Sequence, residues 1–347
     1  MEQQPLTERE RRVLEAVIQS YVETAEPTGS RTIARRFGLG VSPATIRNTM
    51  SDLEHKGYLF HPHTSAGRVP TDTGYRVYVD SLMRISPVDA RARDRLLEHL
   101  STGETAIEAI LRRAAQALGV LTHELAVALG PRLDEVRLER LELVRLSSDR
   151  LLMVLRLSGG AGHSIFVEVP EEVAERAMAE VTRVLNERLA GLSLREIRAT
   201  IPTRLRDATA DSQARELLNI FIQEGEQLFE LPMSGAEPRV LLGQASHLAE
   251  QPEFASEAKL RKLLALTDQP EALGAFLLER GARPGITITI GGEHREPSMS
   301  DFTVVTAEYR VGALGGVIGV IGPTRMPYEK VISMVAHTSR LITDLLD

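Results

Sequence analysis

The chain has 347 residues, 43% of them apolar, and a formal net charge of −7 at pH 7. This length allows two or three domains, and the composition is typical of a soluble globular protein. The absence of cysteine excludes disulfides, thiolate metal sites and a cysteine nucleophile. The amino terminus lacks the apolar core of a signal peptide, and the longest apolar run, Val311–Ile321, is short and contains four glycines. We therefore expect a cytoplasmic protein without a membrane span.

Positive charge is concentrated near the amino terminus. Residues 27–69 contain six lysines and arginines against two acids, a local balance of +4 in an acidic chain. This distribution favours a small, oriented contact with phosphate groups over a general coat for nucleic acid.

Local signals in the first 60 residues predict three helices. Thr7 and Glu10 can form a capping box at the start of a helix of about 16 residues. A second helix is predicted from Ser30 to Phe37, with Gly38 as the residue that ends it. Ser42 is placed to cap a third helix, and the short turn before it gives a helix-turn-helix arrangement.

The third helix is the predicted reading element. Its core face holds apolar side chains such as Ile46 and Leu53, whereas its outer face is small and polar, with almost no carboxylate near the start. Such a face can approach the major groove, where Asn48 could pair with adenine and Arg47 with guanine or phosphate. A winged-helix fold used only for protein contacts is the alternative interpretation.

A short ribbon after this helix predicts a wing. Residues 58–60 and 68–69 can form two strands around a turn-rich segment, and Arg68 would touch a groove or the phosphate backbone. The full set of candidate DNA-binding residues is Ser42, Ala44, Thr45, Arg47, Asn48, Ser51, His63, Ser65 and Arg68. The histidines at 55, 61 and 63 have a spacing found in metal sites, but no nearby carboxylate completes a set, so we expect no metal.

Several motifs carry a family resemblance. The run A-T-I-R-N-T-M at 44–50 is followed by L-E-H-K-G-Y-L at 53–59, P-H-T-S-A-G-R-V-P-T at 62–71 and G-Y-R-V-Y-V-D at 74–80. The run G-V-I-G-V-I-G-P-T-R-M-P-Y occurs at 316–328. Together these resemble the heat-inducible transcription repressor HrcA family over essentially the whole chain. Thr49 stands where a glutamate is expected in that family.

The remaining elements predict an α+β plan in which helices flank an antiparallel sheet. Helices are expected at 71–84, 88–99, 104–129, 171–190, 208–229, 256–281 and 327–346. Strands are expected at 138–146, 150–157, 163–169, 240–242, 286–290, 302–309 and 316–321.

The resemblance implies an α+β multidomain fold. Residues 1–84 would form a winged-helix DNA-binding domain, and residues 85–136 with 201–347 a GAF-like domain. Residues 137–200 would form an inserted α+β dimerisation domain. The resemblance further implies a homodimer that binds an inverted-repeat operator in double-stranded DNA and represses heat-shock chaperone operons. A GroE-type chaperonin would keep it active, and heat stress would release that state.

Two other classes of function remain as alternatives. The first is a metabolite-responsive winged-helix regulator that senses a small ligand in its GAF-like domain. The second is an enzyme built on the α+β domain, but the chain lacks the G-x-G-x-x-G, P-loop, G-x-S-x-G and H-E-x-x-H motifs. The glycines between 312 and 322 are better explained by a hairpin turn and close strand packing. We expect neither catalysis nor a cofactor.

Overall fold

The computed structural model describes most of the chain. The described residues are 5–63, 67–85, 87–100, 107–131, 136–158, 162–170, 173–207, 211–230, 240–281, 285–312 and 314–346.

Residues 5–85, here called the head, have the predicted winged helix-turn-helix arrangement. The helices are α1 (Glu8–Thr24), α2 (Ser30–Phe37) and α3 (Pro43–His55), and the wing strands are β1 (Leu59–Phe60) and β2 (Val69–Pro70). A further helix, α4 (Asp72–Val77), continues into a π-helical turn at Tyr78–Leu82.

The local signals that predict the helix boundaries in the head are confirmed. Thr7 and Glu10 form both hydrogen bonds of a capping box. The Ser42 hydroxyl accepts a hydrogen bond from the Thr45 amide at 3.1 Å, and Gly38 adopts the left-handed conformation that ends α2. Backbone and side-chain chemistry within a few residues therefore determines where these helices begin and end.

The larger α+β domain is built on a five-stranded antiparallel sheet. Its strands are β3 (Leu125–Leu129), β7 (Val240–Leu242), β8 (Ile286–Ile290), β9 (Phe302–Val311) and β10 (Leu314–Pro323), in the spatial order β7-β3-β10-β9-β8. One face of the sheet is covered by α6 (Ile107–Thr122) and α13 (Tyr328–Leu346), with α5 (Ala90–Leu100) beside α6. The other face is covered by α10 (Ser246–Ala249), α11 (Glu257–Thr267) and α12 (Pro270–Gly281).

One predicted helix is wrong in its last part. The helix expected to run from 104 to 129 ends at Thr122, and His123 adopts a positive φ of 60°. The next residues, Leu125–Leu129, form β3, in which all five side chains are buried. A strand covered on both faces has no polar alternation, so its sequence cannot be distinguished from a buried helix by periodicity. The helix expected at 256–281 is likewise two helices, α11 and α12.

A second sheet has its own core. Strands β4 (Leu138–Arg145), β5 (Arg150–Leu157) and β6 (Gly162–Glu168) form an antiparallel meander. One face packs on α7 (Glu175–Leu189), α8 (Leu194–Leu205) and α9 (Ser212–Leu228). Helix α8 has no counterpart among the predicted elements. The hydrophobic cluster runs from Val136 to Phe229, beyond the expected boundary at 200, and α9 packs against α7 and α8 within it.

The head packs directly on the larger α+β domain. Tyr75 is 2% exposed, and its ring centroid lies 5.6 Å from that of Tyr328 at the start of α13. Arg76 donates to Glu293 at 2.7 Å and to the Ile288 carbonyl at 2.9 Å. Apolar contact at the centre and polar contacts around it therefore fix the position of the head.

Two glycines are explained by side chains that pack directly against their backbone. A Cβ on Gly291, which has a φ of 49°, would lie 2.2 Å from the Asp72 carboxylate of the head. A Cβ on Gly316 would lie 2.2 Å from the Tyr309 ring on the neighbouring strand. The second contact agrees with the interpretation of the carboxy-terminal glycines as packing residues.

Candidate nucleic-acid interface

Helix α3 is held in the head by its apolar face. Ile46 and Leu53 are fully buried and Met50 is 3% exposed, and α3 packs against both α1 and α2. This packing turns the opposite face to solvent. Arg47 and Asn48 are exposed, and within the described part of the chain their side chains form no hydrogen bond or ion pair. They are available for an external partner.

The other α3 candidates lie on or beside this face. Ala44 and Ser42 are exposed, whereas Thr45 and Ser51 are half-buried. The Ser42 hydroxyl caps the helix and lies 3.0 Å from the Thr45 hydroxyl, so these two side chains also stabilise the start of the helix. The structure thus brings five of the candidates together at one end of α3 and places Ser51 one turn further along the helix.

Backbone hydrogen bonds join the strands of the wing to each other and to the rest of the head. Leu59 faces Pro70 and Phe60 faces Val69, and Thr28 and Arg68 exchange two backbone hydrogen bonds of 2.9 Å. His63 is exposed, and Ser65 lies outside the described residues.

Arg68 has an intramolecular partner. Its guanidinium lies 2.8 Å from the Glu54 carboxylate on α3, and its side chain is 18% exposed. A salt bridge of this kind ties the base of the wing to the third helix. Arg68 is therefore a poorer free phosphate probe than its sequence position suggests, although its backbone fixes the direction in which the wing leaves the head.

Ion pairs reduce the effective positive charge of the head. Of the six cations at 27–69, Arg36 pairs with Glu23, Lys56 with Glu10 and Arg68 with Glu54. Three remain exposed and, among the described residues, without an ion pair: Arg31, Arg35 and Arg47.

The Lys56 pair is the most protected of these ion pairs. Burial alone would raise the pKa of Glu10, but hydrogen bonds from Lys56 and Thr7 lower it below the ordinary value. The Lys56 ammonium lies 2.7 Å from the Glu10 carboxylate, which is 9% exposed. This pair fixes the end of α3 against the start of α1 and is not available to an external phosphate.

Arg31 and Arg35 are part of the local positive charge at residues 27–69, but they were not predicted as DNA-binding residues. They stand four residues apart on α2, and residues at this spacing share a helix face. Two exposed arginines on one face beside the turn that leads to α3 form a basic stripe. The spacing itself was the signal that could have found them.

The three histidines near α3 differ in exposure and in hydrogen bonding. The His55 Nδ1 lies 2.7 Å from the Ser51 carbonyl, His61 is half-buried and His63 is exposed. Within the described ranges, no group of three or more histidines and acids could hold a metal ion. Over the same ranges, no helix has the length and apolarity needed to cross a bilayer.

Three helices packed around a common core, a wing and an exposed basic reading face define a winged-helix DNA-binding protein. A family model described as LexA DNA binding domain matches residues 3–67, within the head. A second model, described as HrcA protein C terminal domain, matches residues 108–332.

Full-length relatives agree with both matches. A protein of Chlorobium phaeobacteroides (strain BS1) named heat-inducible transcription repressor HrcA is 42% identical over 342 residues, which cover 96% of each chain. Its namesake from Symbiobacterium thermophilum is 40% identical and covers 95% of this chain and 96% of its own. The chain therefore belongs to the HrcA family of heat-inducible transcription repressors, which are DNA-binding proteins and not enzymes.

A solved structure supports the fold. A crystal structure described as that of a hypothetical protein at 2.2 Å resolution superimposes with a TM-score of 0.69 and covers 99% of both chains at 24% identity. This likeness extends over the head, the five-stranded sheet and the three-stranded sheet together.

Proposed function

We propose that this repressor acts in the cytoplasm as a homodimer that binds an inverted-repeat operator upstream of chaperone operons. The observation that carries the proposal is the outer face of α3, where Arg47 and Asn48 are exposed and form no hydrogen bond or ion pair within the described protein. In the major groove, an asparagine can pair with adenine and an arginine with guanine.

The remaining candidates divide by what they can contact. Ala44 and Thr45 can touch bases or a thymine methyl group near the start of α3, and Ser42 and Ser51 can bind phosphate. Arg31 and Arg35 add phosphate contacts from α2. His63, Ser65 and Arg68 belong to the wing, where Arg68 acts mainly by holding the wing against Glu54.

The homodimer is supported by the open face of the three-stranded sheet. Val144, Leu152 and Phe166 are paired across the three strands in one row. Val144 is 45% exposed and Phe166 is 65% exposed. An exposed apolar row on a sheet face is typical of a contact surface, and a second copy can cover it with the same residues around a two-fold axis. Two heads related by that axis would match an inverted repeat.

Control by a GroE-type chaperonin requires a DNA-binding state that is only marginally stable. The contacts between head and α+β domain support this view, because some of the polar contacts around the buried tyrosines are single hydrogen bonds. Asp72 accepts one from the Gly292 amide at 2.8 Å at the surface, whereas the bond from Arg325 to the Val22 carbonyl at 2.7 Å is partly buried. A shift of the head would exchange such bonds for bonds to water at a cost of about 0.5–1.5 kcal/mol each.

The test is a footprint of the purified full-length protein on the promoters of its own chaperone genes, with and without chaperonin. We expect protection of an inverted repeat, with apparent affinity increased by chaperonin and lost when denatured protein occupies it. Protection that is independent of chaperonin but controlled by a small metabolite would contradict the chaperonin part of the proposal. Absence of protection at any chaperone promoter would contradict the operator.

A further inference from the structure

Strand β8 lies at one edge of the five-stranded sheet, and among the described residues β9 is its only neighbouring strand. The Ile290 amide donates to the Glu293 carboxylate at 2.8 Å, and the Ile288 carbonyl accepts from Arg76 at 2.9 Å. Both groups therefore point away from β9. Because alternate residues of an antiparallel strand direct their amide and carbonyl groups to opposite sides, Ile286 directs its groups to this open side as well.

An ion pair occupies the position of the missing neighbouring strand. Arg76 donates to the Ile288 carbonyl through Nη2 and to the Glu293 carboxylate through Nε at 2.7 Å. Burial raises the pKa of Glu293, but hydrogen bonds from Arg76 and the Ile290 amide lower it below the ordinary value, so the carboxylate is ionised at neutral pH. This pair, here called the edge cap, satisfies one acceptor and one donor of the strand edge.

The edge cap depends on the docked head, because Arg76 belongs to α4. Asp72, one turn earlier on this helix, accepts a hydrogen bond at 2.8 Å from the Gly292 amide, which follows β8. Movement of the head withdraws Arg76 and leaves the Ile288 carbonyl without this donor. Ile286 is 40% exposed even with the head in place. Backbone groups at an uncovered edge are a template for pairing with another strand, so the docked head closes this edge.

The sequence of β8 suits pairing with its own copy. The strand reads I-T-I-T-I between Gly285 and Gly291, which is the same in both directions. In an antiparallel pair centred on Ile288, isoleucine lies opposite isoleucine and threonine opposite threonine, so both faces of the sheet continue across the contact. These residues favour strands, and the segment contains neither charge nor proline. A two-fold axis at Ile288 would relate the two copies, as in other self-complementary contacts.

We propose that the edge of β8 is a self-association site that the docked head keeps closed. Release of the head lets β8 pair antiparallel with β8 of a second copy of this chain. The symmetry of the pairing about Ile288 favours a second copy over an unrelated extended peptide. The contact uses the backbone of the larger sheet, so it is distinct from the open face of the three-stranded sheet. Neither DNA nor chaperonin takes part, and the inference therefore goes beyond the proposed function.

Single cysteines can test this pairing, because the chain contains no natural cysteine. In the proposed register Ile288 lies opposite itself, with Cα atoms about 5.5 Å apart, a separation that a disulfide can span. Ile286 lies opposite Ile290 of the second copy, which leaves the two residues at 286 about 14 Å apart, too far for a disulfide. Under mild oxidation Ile288→Cys should form a covalent dimer and Ile286→Cys should not, although Ile286 is the more exposed of the two.

Removal of the edge cap should promote the cross-link. Arg76→Ala should raise the rate of disulfide formation in Ile288→Cys at least about tenfold, because hydrogen bonds to a charged group are lost. Arg36→Ala is the matched control, since it removes an arginine that pairs with Glu23 within the head, and it should leave the rate unchanged. Slow amide exchange in residues 302–311 should persist in every variant and would show that the sheet is intact.

Sedimentation analysis provides a second measurement without cysteines. Arg76→Ala should associate further than the unaltered protein, and Ile288→Pro in the same chain should reverse this. The Ile288 amide points away from β9, so proline there removes no hydrogen bond within the sheet but blocks the centre of the new contact. Equal cross-linking at 286 and 288, a rate at 288 that Arg76→Ala does not raise, or association that survives Ile288→Pro would overturn the proposal. Each result is compared with the unaltered protein, so it is independent of the proposed operator and of the proposed dimer contact.

Discussion

Two tyrosines at the contact between head and α+β domain make a matched test of the docking energetics. Tyr75 and Tyr78 are each 2% exposed, and both rings lie against Tyr328. Their hydroxyls differ. Tyr78 donates to the Glu329 carboxylate, whereas the Tyr75 hydroxyl is buried and has no partner among the described residues. Replacing each by phenylalanine removes only the hydroxyl, so the two variants should change stability in opposite directions.

The expected magnitudes follow from these environments. An unpaired buried hydroxyl costs about 1–3 kcal/mol, so Tyr75→Phe should stabilise the docked head by about 1 kcal/mol. A hydrogen bond to a charged acceptor contributes about 1.5–3 kcal/mol, so Tyr78→Phe should destabilise it by about that amount. Removal of the Tyr78 hydroxyl also leaves the Glu329 carboxylate with one donor fewer.

Hydrogen exchange of amides in residues 72–82 measures the free energy of opening at this contact directly. A urea melt of the whole chain would mix several cores and would not be two-state. Exchange in the separate core at residues 138–157 serves as the internal control and should be the same in both variants. Destabilisation of the contact by Tyr75→Phe, to an extent similar to Tyr78→Phe, would refute the assignment of an unpaired hydroxyl.

Three further outcomes are expected. Asn48→Ala should reduce discrimination at one operator position by about 1–3 kcal/mol, measured by fluorescence anisotropy on substituted operators, while Arg261→Ala on α11 should leave binding unchanged. Phe166→Asp should convert the dimer to monomer in sedimentation analysis, and Leu264→Asp, at a residue that is 49% exposed elsewhere, should not; a dimeric Phe166→Asp protein would rule out the proposed contact. The pKa of Glu10 is lowered on folding, so its stabilisation is present above the ordinary value near 4.5 and is lost as the pH falls through the lower folded value. Glu10→Gln should therefore flatten acid destabilisation of α1, followed by amide exchange between pH 3 and pH 6, and an unchanged pH profile would contradict the sign.

The head could be predicted from sequence because its boundaries depend on local chemistry. Ser42, Gly38 and the Thr7–Glu10 capping box each act within four residues, and the structure places all of them as expected. The outer face of α3 was equally predictable, since helical periodicity alone separates Ile46 from Asn48.

Other parts of the fold depend on contacts that a local pattern cannot reveal. The sequence of strand β3 was predicted as the end of a helix, because a strand covered on both faces has no polar alternation. Helix α8 contains Pro202, which has no N–H to donate to the i−4 carbonyl, so a local pattern counts against a helix there. Arg68 was predicted to contact DNA, but its side chain is paired with Glu54, which lies fourteen residues earlier in the chain and next to it in space.

The docking contact is the clearest case of long-range information, because Arg76 and Glu293 are separated by 217 residues. Its composition also bears on control of the repressor. Undocking would expose Tyr75 and Tyr78, at a cost of roughly 1.5–3 kcal/mol for each large apolar side chain. The unpaired Tyr75 hydroxyl would regain water on release and so offsets about 1–3 kcal/mol of that cost.

The neutral polar bonds around the contact can be exchanged with water at small net cost, whereas loss of the Tyr78–Glu329 bond costs about 1.5–3 kcal/mol. The balance leaves a gap of a few kcal/mol between docked and released heads, which keeps the released state rare but accessible. A gap of this size can be reversed by a binding partner present at 100 to 1,000 times its Kd, since such a partner contributes about 2.7–4.1 kcal/mol. We infer that the unpaired Tyr75 hydroxyl makes the head easier to move, and that a fully satisfied contact would make the repressor less responsive to any partner that acts on its position.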